Sequence, residues 1–278
     1  MAVLQTIEPS VEKLGPISIR RVLPSPSRQM VGPFIFMDQG GPVKLPNGPN
    51  AGVREHPHAG LSTFTYLLAG KGYHCDSAGH AAMIEQGDIA LMTAGSGITH
   101  EELPHPEDTS PVLDSYFVQM WLALPDDVED MPPAFELHRA ETLPVVEFGA
   151  GEARILMGTA WGATAPTTCY VETVFADLEF QQGTPIPIEI DCEECAFFVL
   201  EGECEINDAH ASQHKLYILD TSESLTVQTR SHCRAVFLGG STFPSQRFIG
   251  GSFVASSREK ILTHQRRFIE GEFPAIAR

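Results

Sequence analysis

Two short runs place metal-ligand side chains two residues apart: His56-Pro57-His58-Ala59-Gly60 and Gly97-Ile98-Thr99-His100-Glu101-Glu102. In an extended strand, residues i and i+2 share a face. His56 and His58 then project together, as do His100 and Glu102. Two such strands facing each other aim three imidazoles and one carboxylate at one point. That donor set suits one divalent transition metal, iron, manganese, cobalt, nickel or copper, with coordination positions left open for chemistry. Glu101 is the rival carboxylate. Strand periodicity favours Glu102 and leaves Glu101 pointing away.

The elements that must carry these residues read as strands. The chain has 278 residues, with 24 Gly and 21 Pro spread along its length. Short apolar runs lie between them, at 64–68, 88–92, 115–122, 171–175, 196–200, 216–219 and 235–238. Many short strands bounded by turn residues predict an all-β sandwich or barrel. One helix is expected at the end. Ser256-Ser257-Arg258-Glu259 has capping-box spacing, and the helix should run to about Glu270, packing Ile261, Leu262, Phe268 and Ile269 on a sheet. The proline-containing stretch 131–144 follows an acidic run and reads as a linker. It divides the chain at 140/141, giving domains 1–140 and 141–278.

The chain also reads as internally duplicated. Residues 64–70 resemble residues 196–202, aligning Gly70 with Gly202. This register sets Ile188 opposite His56 and Ile190 opposite His58, with His232 opposite His100 and Arg234 opposite Glu102. Apolar residues and an arginine do not ligate a cation, so the second copy is expected to lack metal.

Composition excludes some partners. The net charge is −18, from 36 acidic and 18 basic residues. Such a field repels a phosphate backbone, so no direct nucleic-acid binding is expected. Arg20-Arg21 and Arg266-Arg267 are the only adjacent arginine pairs and read as solvated surface. No run is apolar enough for a bilayer span, and the start lacks signal-peptide features; a cytoplasmic protein without membrane contact is expected. The six cysteines read as free thiols. Cys192-Glu193-Glu194-Cys195 has half of a zinc-ribbon spacing without a second Cys-x-x-Cys.

Taken together, several segments resemble the pirin family of bicupins. They are His56-Pro57-His58-Ala59-Gly60, His74-Cys75-Asp76-Ser77-Ala78-Gly79, Gly87-Asp88 and Met92 through Glu102. Val31-Gly32-Pro33-Phe34 and Gly251 through Ser257 also match. The resemblance implies two cupin β-sandwich domains packed face to face and one mononuclear iron(II) site in the first. It carries the ligands onto His56, His58, His100 and Glu102. It further implies a quercetinase-type dioxygenase acting on a small aromatic enol substrate and dioxygen, with Glu102 as base as well as ligand. The alternative it implies is a non-enzymatic iron-binding regulator acting through a protein partner. His74 and Asp76 are candidates to orient a ligating imidazole, or to bond within their own loop. The family commonly has Arg, Glu, Arg and Ser where Ala59, Ser62, Ser96 and Glu101 stand, which alters the charge around the pocket mouth.

Overall fold

A computed structural model describes residues 2–277, except 49–50, 106, 150, 184, 189–190 and 223. The described residues form strands and one α-helix, in two compact units. Among the described residues, no helix is long and apolar enough to cross a membrane.

The first unit comprises residues 11–20, 36–140 and 243–278. It has a seven-stranded sheet in the order Ala134–His138, Ile89–Thr93, Leu61–Gly70, Val112–Ala123, Phe34–Pro46, Ile17–Leu23 and Ser10–Leu14. A four-stranded sheet follows the order Val53–His58, Ile98–Leu103, Gly72–Asp76, Ala81–Ile84. The second unit comprises residues 1–10, 21–35 and 141–242. Its seven-stranded sheet runs Val3–Ile7, Leu216–Leu219, Glu194–Glu201, Cys233–Gly240, Thr173–Phe180, Gly151–Met157 and Val145–Phe148. Its four-stranded sheet runs Ile186–Ile188, Leu225–Gln228, Glu203–Ile206, Ala209–Ser212.

Both units are thus discontinuous, where the sequence suggested one cut at 140/141. The reason lies in strand pairing. Val3–Ile7 is an edge strand and pairs antiparallel with Leu216–Leu219. Each unpaired edge group left in a dry environment is costly, so the chain start joins the later sheet. The stretch read as a linker contains the strand Ala134–His138, which pairs with Ile89–Thr93. Its prolines lie outside the paired residues, where no ladder donor is missing.

The two units repeat one strand succession. Gly70 and Gly202 mark equivalent hairpin corners, with φ of 93° and 74°. A Cβ at Gly70 would sit 1.9 Å from the Asp114 carbonyl oxygen, and one at Gly202 would sit 2.4 Å from that of His232. Only glycine fits such a corner.

Strand register corrects half of the alignment between the copies. Ile188 pairs with Leu225 as His56 pairs with His100. Ile206 pairs with Val227 as His74 pairs with Glu102. Leu225 and Val227, not His232 and Arg234, therefore occupy the places of His100 and Glu102. Arg234 sits on the next strand, in an ion pair with Asp177. Ile188, Leu225 and Val227 are all buried, so this face of the second copy is packed with hydrocarbon. Ile190 lies outside the described residues.

The helix spans Arg258–Ile269, and its N-cap is Ser257, whose side chain accepts from the Lys260 N–H. Ser256, expected as the cap, instead donates its N–H and hydroxyl to Glu129. Of the four apolar residues expected to pack on a sheet, Ile261 is buried, while Leu262 and Ile269 are 65% and 83% exposed. Phe268 meets the rings of Phe253 and Phe273. The helix's other buried residue is His264. At 3.6 residues per turn the four positions span an arc of about 120°, and only its Ile261–Phe268 side is packed, while Leu262 and Ile269 stand at the exposed side.

Candidate metal centre

The strands Val53–His58 and Ile98–Leu103 pair antiparallel, with His100 opposite His56 and Ile98 opposite His58. This register brings His56, His58 and His100 together. One ring nitrogen from each lies within 4.8 Å of the other two, and among the described residues no other such cluster of three or more His, Cys, Asp or Glu forms. The ring centroids are 4.4–5.0 Å apart.

Hydrogen bonds fix the state of two rings. His56 Nδ1 lies 2.8 Å from the Arg54 carbonyl oxygen, and His58 Nδ1 lies 2.9 Å from that of Ser252. A carbonyl only accepts, so each Nδ1 carries the hydrogen and each neutral ring offers its Nε2 lone pair. His56 Nε2 and His100 Nε2 face each other at 3.0 Å. Among the described residues, His100 Nδ1 is buried without a hydrogen-bond partner. Because His56 Nε2 carries the lone pair, His100 Nε2–H donates to it at this distance, and a cation at the focus would take the place of that hydrogen. The donor set therefore fits one transition metal.

Burial keeps His58 and His100 in the neutral, metal-binding form. It pushes the His58 pKa down from 6.5 to about 3, aided by neighbouring His56 and opposed by the Ser252 bond. His100 is also lowered, by burial first and then by its histidine neighbours. The unfolded chain takes up the His58 proton as pH drops below 6.5; the folded metal-free protein refuses it until about 3, and His100 adds in the same direction. Stability is therefore complete above pH 6.5 and is lost progressively down to about pH 3. His58 alone sets a ceiling on the order of 5 kcal/mol. Urea midpoints of the metal-free protein should fall between pH 7 and pH 4.5, and His58→Gln should flatten that slope. An unchanged slope would refute the role of burial.

Glu102 does not join the converging set. Its Oε1 accepts from the Thr65 hydroxyl at 3.0 Å, and Thr65 also lies 2.8 Å from Gln119 Oε1. One hydroxyl hydrogen cannot serve both acceptors. Turning the Gln119 amide so that its nitrogen faces Thr65 satisfies all three groups, in the order Gln119, Thr65, Glu102. Glu101, on the other side of the strand, is buried. His74 hydrogen-bonds Asp76, and its ring reaches His100 only by packing, at 5.4 Å between centroids. Asp76 also accepts from the Ala78 and His80 N–H groups and from the His80 ring. Ala59 and Ser62 are buried rather than at a mouth; Ser62 bonds the Thr93 hydroxyl.

The sequence reading missed an aromatic wall beside the histidines. Trp121 sits edge-on to His58 at 5.1 Å and stacks on Phe36 at 4.1 Å. Trp121 and Gln119 pair with Thr63 and Thr65 across the ladder. Period two from Thr65 is the signal that could have found them. Phe64, Tyr66, Met92 and Met120 are all buried. Gly60 lets the chain leave the ligand strand, since a Cβ there would lie 1.9 Å from the Val254 carbonyl oxygen.

The family model described as Pirin matches residues 17–122, and the Pirin C-terminal cupin domain matches residues 175–274. A pirin-like protein of Caulobacter vibrioides is 34% identical over 252 residues, covering 89% of this chain and 86% of that protein. The crystal structure of quercetin 2,3-dioxygenase from Acinetobacter baumannii matches with a TM-score of 0.91 at 30% identity. That match covers 99% of this chain and 91% of the other. A bacterial pirin from Escherichia coli, in complex with nickel(II), matches with a TM-score of 0.68 at 16% identity, covering 86% of this chain and 99% of that one. At that identity the likeness shows the fold alone.

Proposed function

Because this chain belongs to the pirin family, we propose that it is a metal-dependent dioxygenase of quercetinase type, acting on flavonols or similar aromatic enols. The observation that carries this reading is the set of three converging imidazoles, two of them fixed with Nε2 as the donor. The likeness to a quercetin 2,3-dioxygenase supports the substrate class. His56, His58 and His100 would hold the metal, iron(II) in this proposal, and Glu102, which stands outside the three-histidine set in the metal-free protein, would be drawn in as the fourth ligand. When bound, the metal supplies Lewis acidity and an electron path between an enol and dioxygen.

The remaining roles belong to the protein. Glu102 takes the enol proton at Oε2 while Thr65 holds Oε1. Gln119 steadies Thr65 from the neighbouring strand. Trp121, backed by Phe36, presents an aromatic surface beside His58 against which a flat substrate is oriented.

Oxygen consumption over a panel of flavonols, other enols and catechols tests the proposal. Glu102→Gln should lower kcat/KM by at least ~100-fold, the usual scale of a lost general base. Glu101→Gln should leave it within a few-fold. Chelation should abolish turnover. No turnover across the panel, with one metal per chain measured, would sink the enzyme reading and leave a regulator acting through a protein partner.

A further inference from the structure

Two cysteines that the metal chemistry leaves unused lie side by side in the second unit. Cys192 and Cys195 are both free thiols. Cys195 pairs with Gly239 across the ladder. The Cys192 sulfur and the Cys195 Cβ each lie 2.9 Å from the point where a Cβ on Gly239 would stand. The space over that glycine is therefore filled by the two cysteines together with the Glu194 carbonyl oxygen, 2.7 Å from the same point. The residues between them are clamped. Glu193 accepts from the Thr242 N–H and hydroxyl, and Glu194 accepts from Arg28 and the Gly32 N–H. The i, i+3 spacing is that of dithiols that close into a disulfide within one turn.

We propose that Cys192 and Cys195 are a redox-active dithiol that a peroxide oxidises to an intramolecular disulfide. The two thiols differ in the needed direction. Cys192 accepts hydrogen bonds from the Cys195 thiol and the Gly240 N–H, and these hold its pKa below the ordinary thiol value despite burial and nearby Asp191 and Glu172. Cys195 is pushed up, by its bond to Cys192 and by burial. Cys192 is 8% exposed and Cys195 2%, so the more acidic thiol is also the one nearer solvent.

The chemistry balances. The Cys192 thiolate attacks a peroxide oxygen, the O–O bond breaks, and hydroxide leaves to become water with the proton lost from Cys192. Cys192 is now a sulfenic acid. The Cys195 sulfur attacks the Cys192 sulfur, the S–S bond forms and the S–O bond breaks. The departing hydroxide takes the Cys195 proton as a second water. Two thiols are oxidised and one hydrogen peroxide is reduced. Cys204 and Cys233 form a second touching pair, but they are 3% and 0% exposed. They serve as the internal control.

The test uses the full-length reduced protein, treated with hydrogen peroxide, then alkylated after unfolding and mapped by mass spectrometry. The segment holding Cys192 and Cys195 should lose the mass of two hydrogens and recover it with a reductant. The pair should be consumed at least ~10-fold faster than Cys204 and Cys233, as exposure and thiolate character dictate. In Cys195→Ser, with native circular dichroism, the Cys192 sulfenic acid should accumulate and be trapped by dimedone. The proposal is overturned if both thiols stay alkylatable while exposed Cys169 is oxidised. It is equally overturned if Cys192 passes to the sulfinic acid without forming a disulfide.

Discussion

Replacing His58 with alanine should take the metal content from one equivalent per chain to none, with turnover lost alongside it. Three imidazoles make up the converging donor set, and His58 is the one whose Nδ1 is tied to Ser252. Disturbing only an outer partner of a ligand typically costs 10–100-fold in metal affinity. Losing the ligand itself should therefore cost more than about 100-fold. Elemental analysis of protein reconstituted with iron(II) checks it. Wild type should saturate at one equivalent, because Ile188, Leu225 and Val227 stand where the second unit would need ligands. A second equivalent, kept in the variant, would contradict the register of the two copies.

Glu129→Ala should produce the largest loss of stability. This carboxylate is 1% exposed and accepts from the Ser256 N–H, the Ser256 hydroxyl and the Lys260 ammonium. Alanine leaves two donors of Ser256 without their acceptor and takes one of two carboxylate partners from Lys260 at the first turn of the helix, Asp130 being the other. Lys260 is 37% exposed on its side chain, so it can turn to water. The loss should thus sit at the low end for a broken buried pair, about 3 kcal/mol. For a protein of this size that lowers Tm by roughly 10 °C. A thermal melt showing a shift under about 2 °C would mean that the helix is held by its apolar contacts instead. Arg247, buried and bonded to Leu124 and Asp126, ties the same returning segment.

Much of the site was legible in the sequence because strand geometry is local. The spacing of His56, His58 and His100 needed only period two to put them on matching faces. The repeated corner at Gly70 and Gly202 was legible because a positive φ admits so few residues. The counterpart of His100 was misread for a topological reason. From His74 to His100 the chain advances 26 residues, but from Ile206 to Leu225 only 19, so the second copy is shorter before this strand is reached. A constant offset therefore slides off the ladder, and pairing, invisible in one sequence, decides the match. The strand at Ala134–His138 was hidden by the flanking prolines. The carbonyls of Arg54 and Ser252 carry no side-chain signal at all, although they set the tautomers of His56 and His58. Thr65 and Gln119 come from strands 54 residues apart, a distance over which periodicity says nothing.

The bond between His58 and Ser252 spans 194 positions. During synthesis, His56, His58 and His100 all leave the ribosome long before Ser252 is made. At the rate of about 5–20 residues per second, the three histidines wait for many seconds before the Ser252 carbonyl exists. Over that interval the His58 Nδ1 has no fixed acceptor, and its Nε2 is not committed to pointing inward. A nascent or prematurely released chain thus offers a loose, competing set of imidazoles, whereas a chain translated through Ser252 offers a rigid one. The orientation of the His58 ring is settled by one of the last segments of the chain to be made.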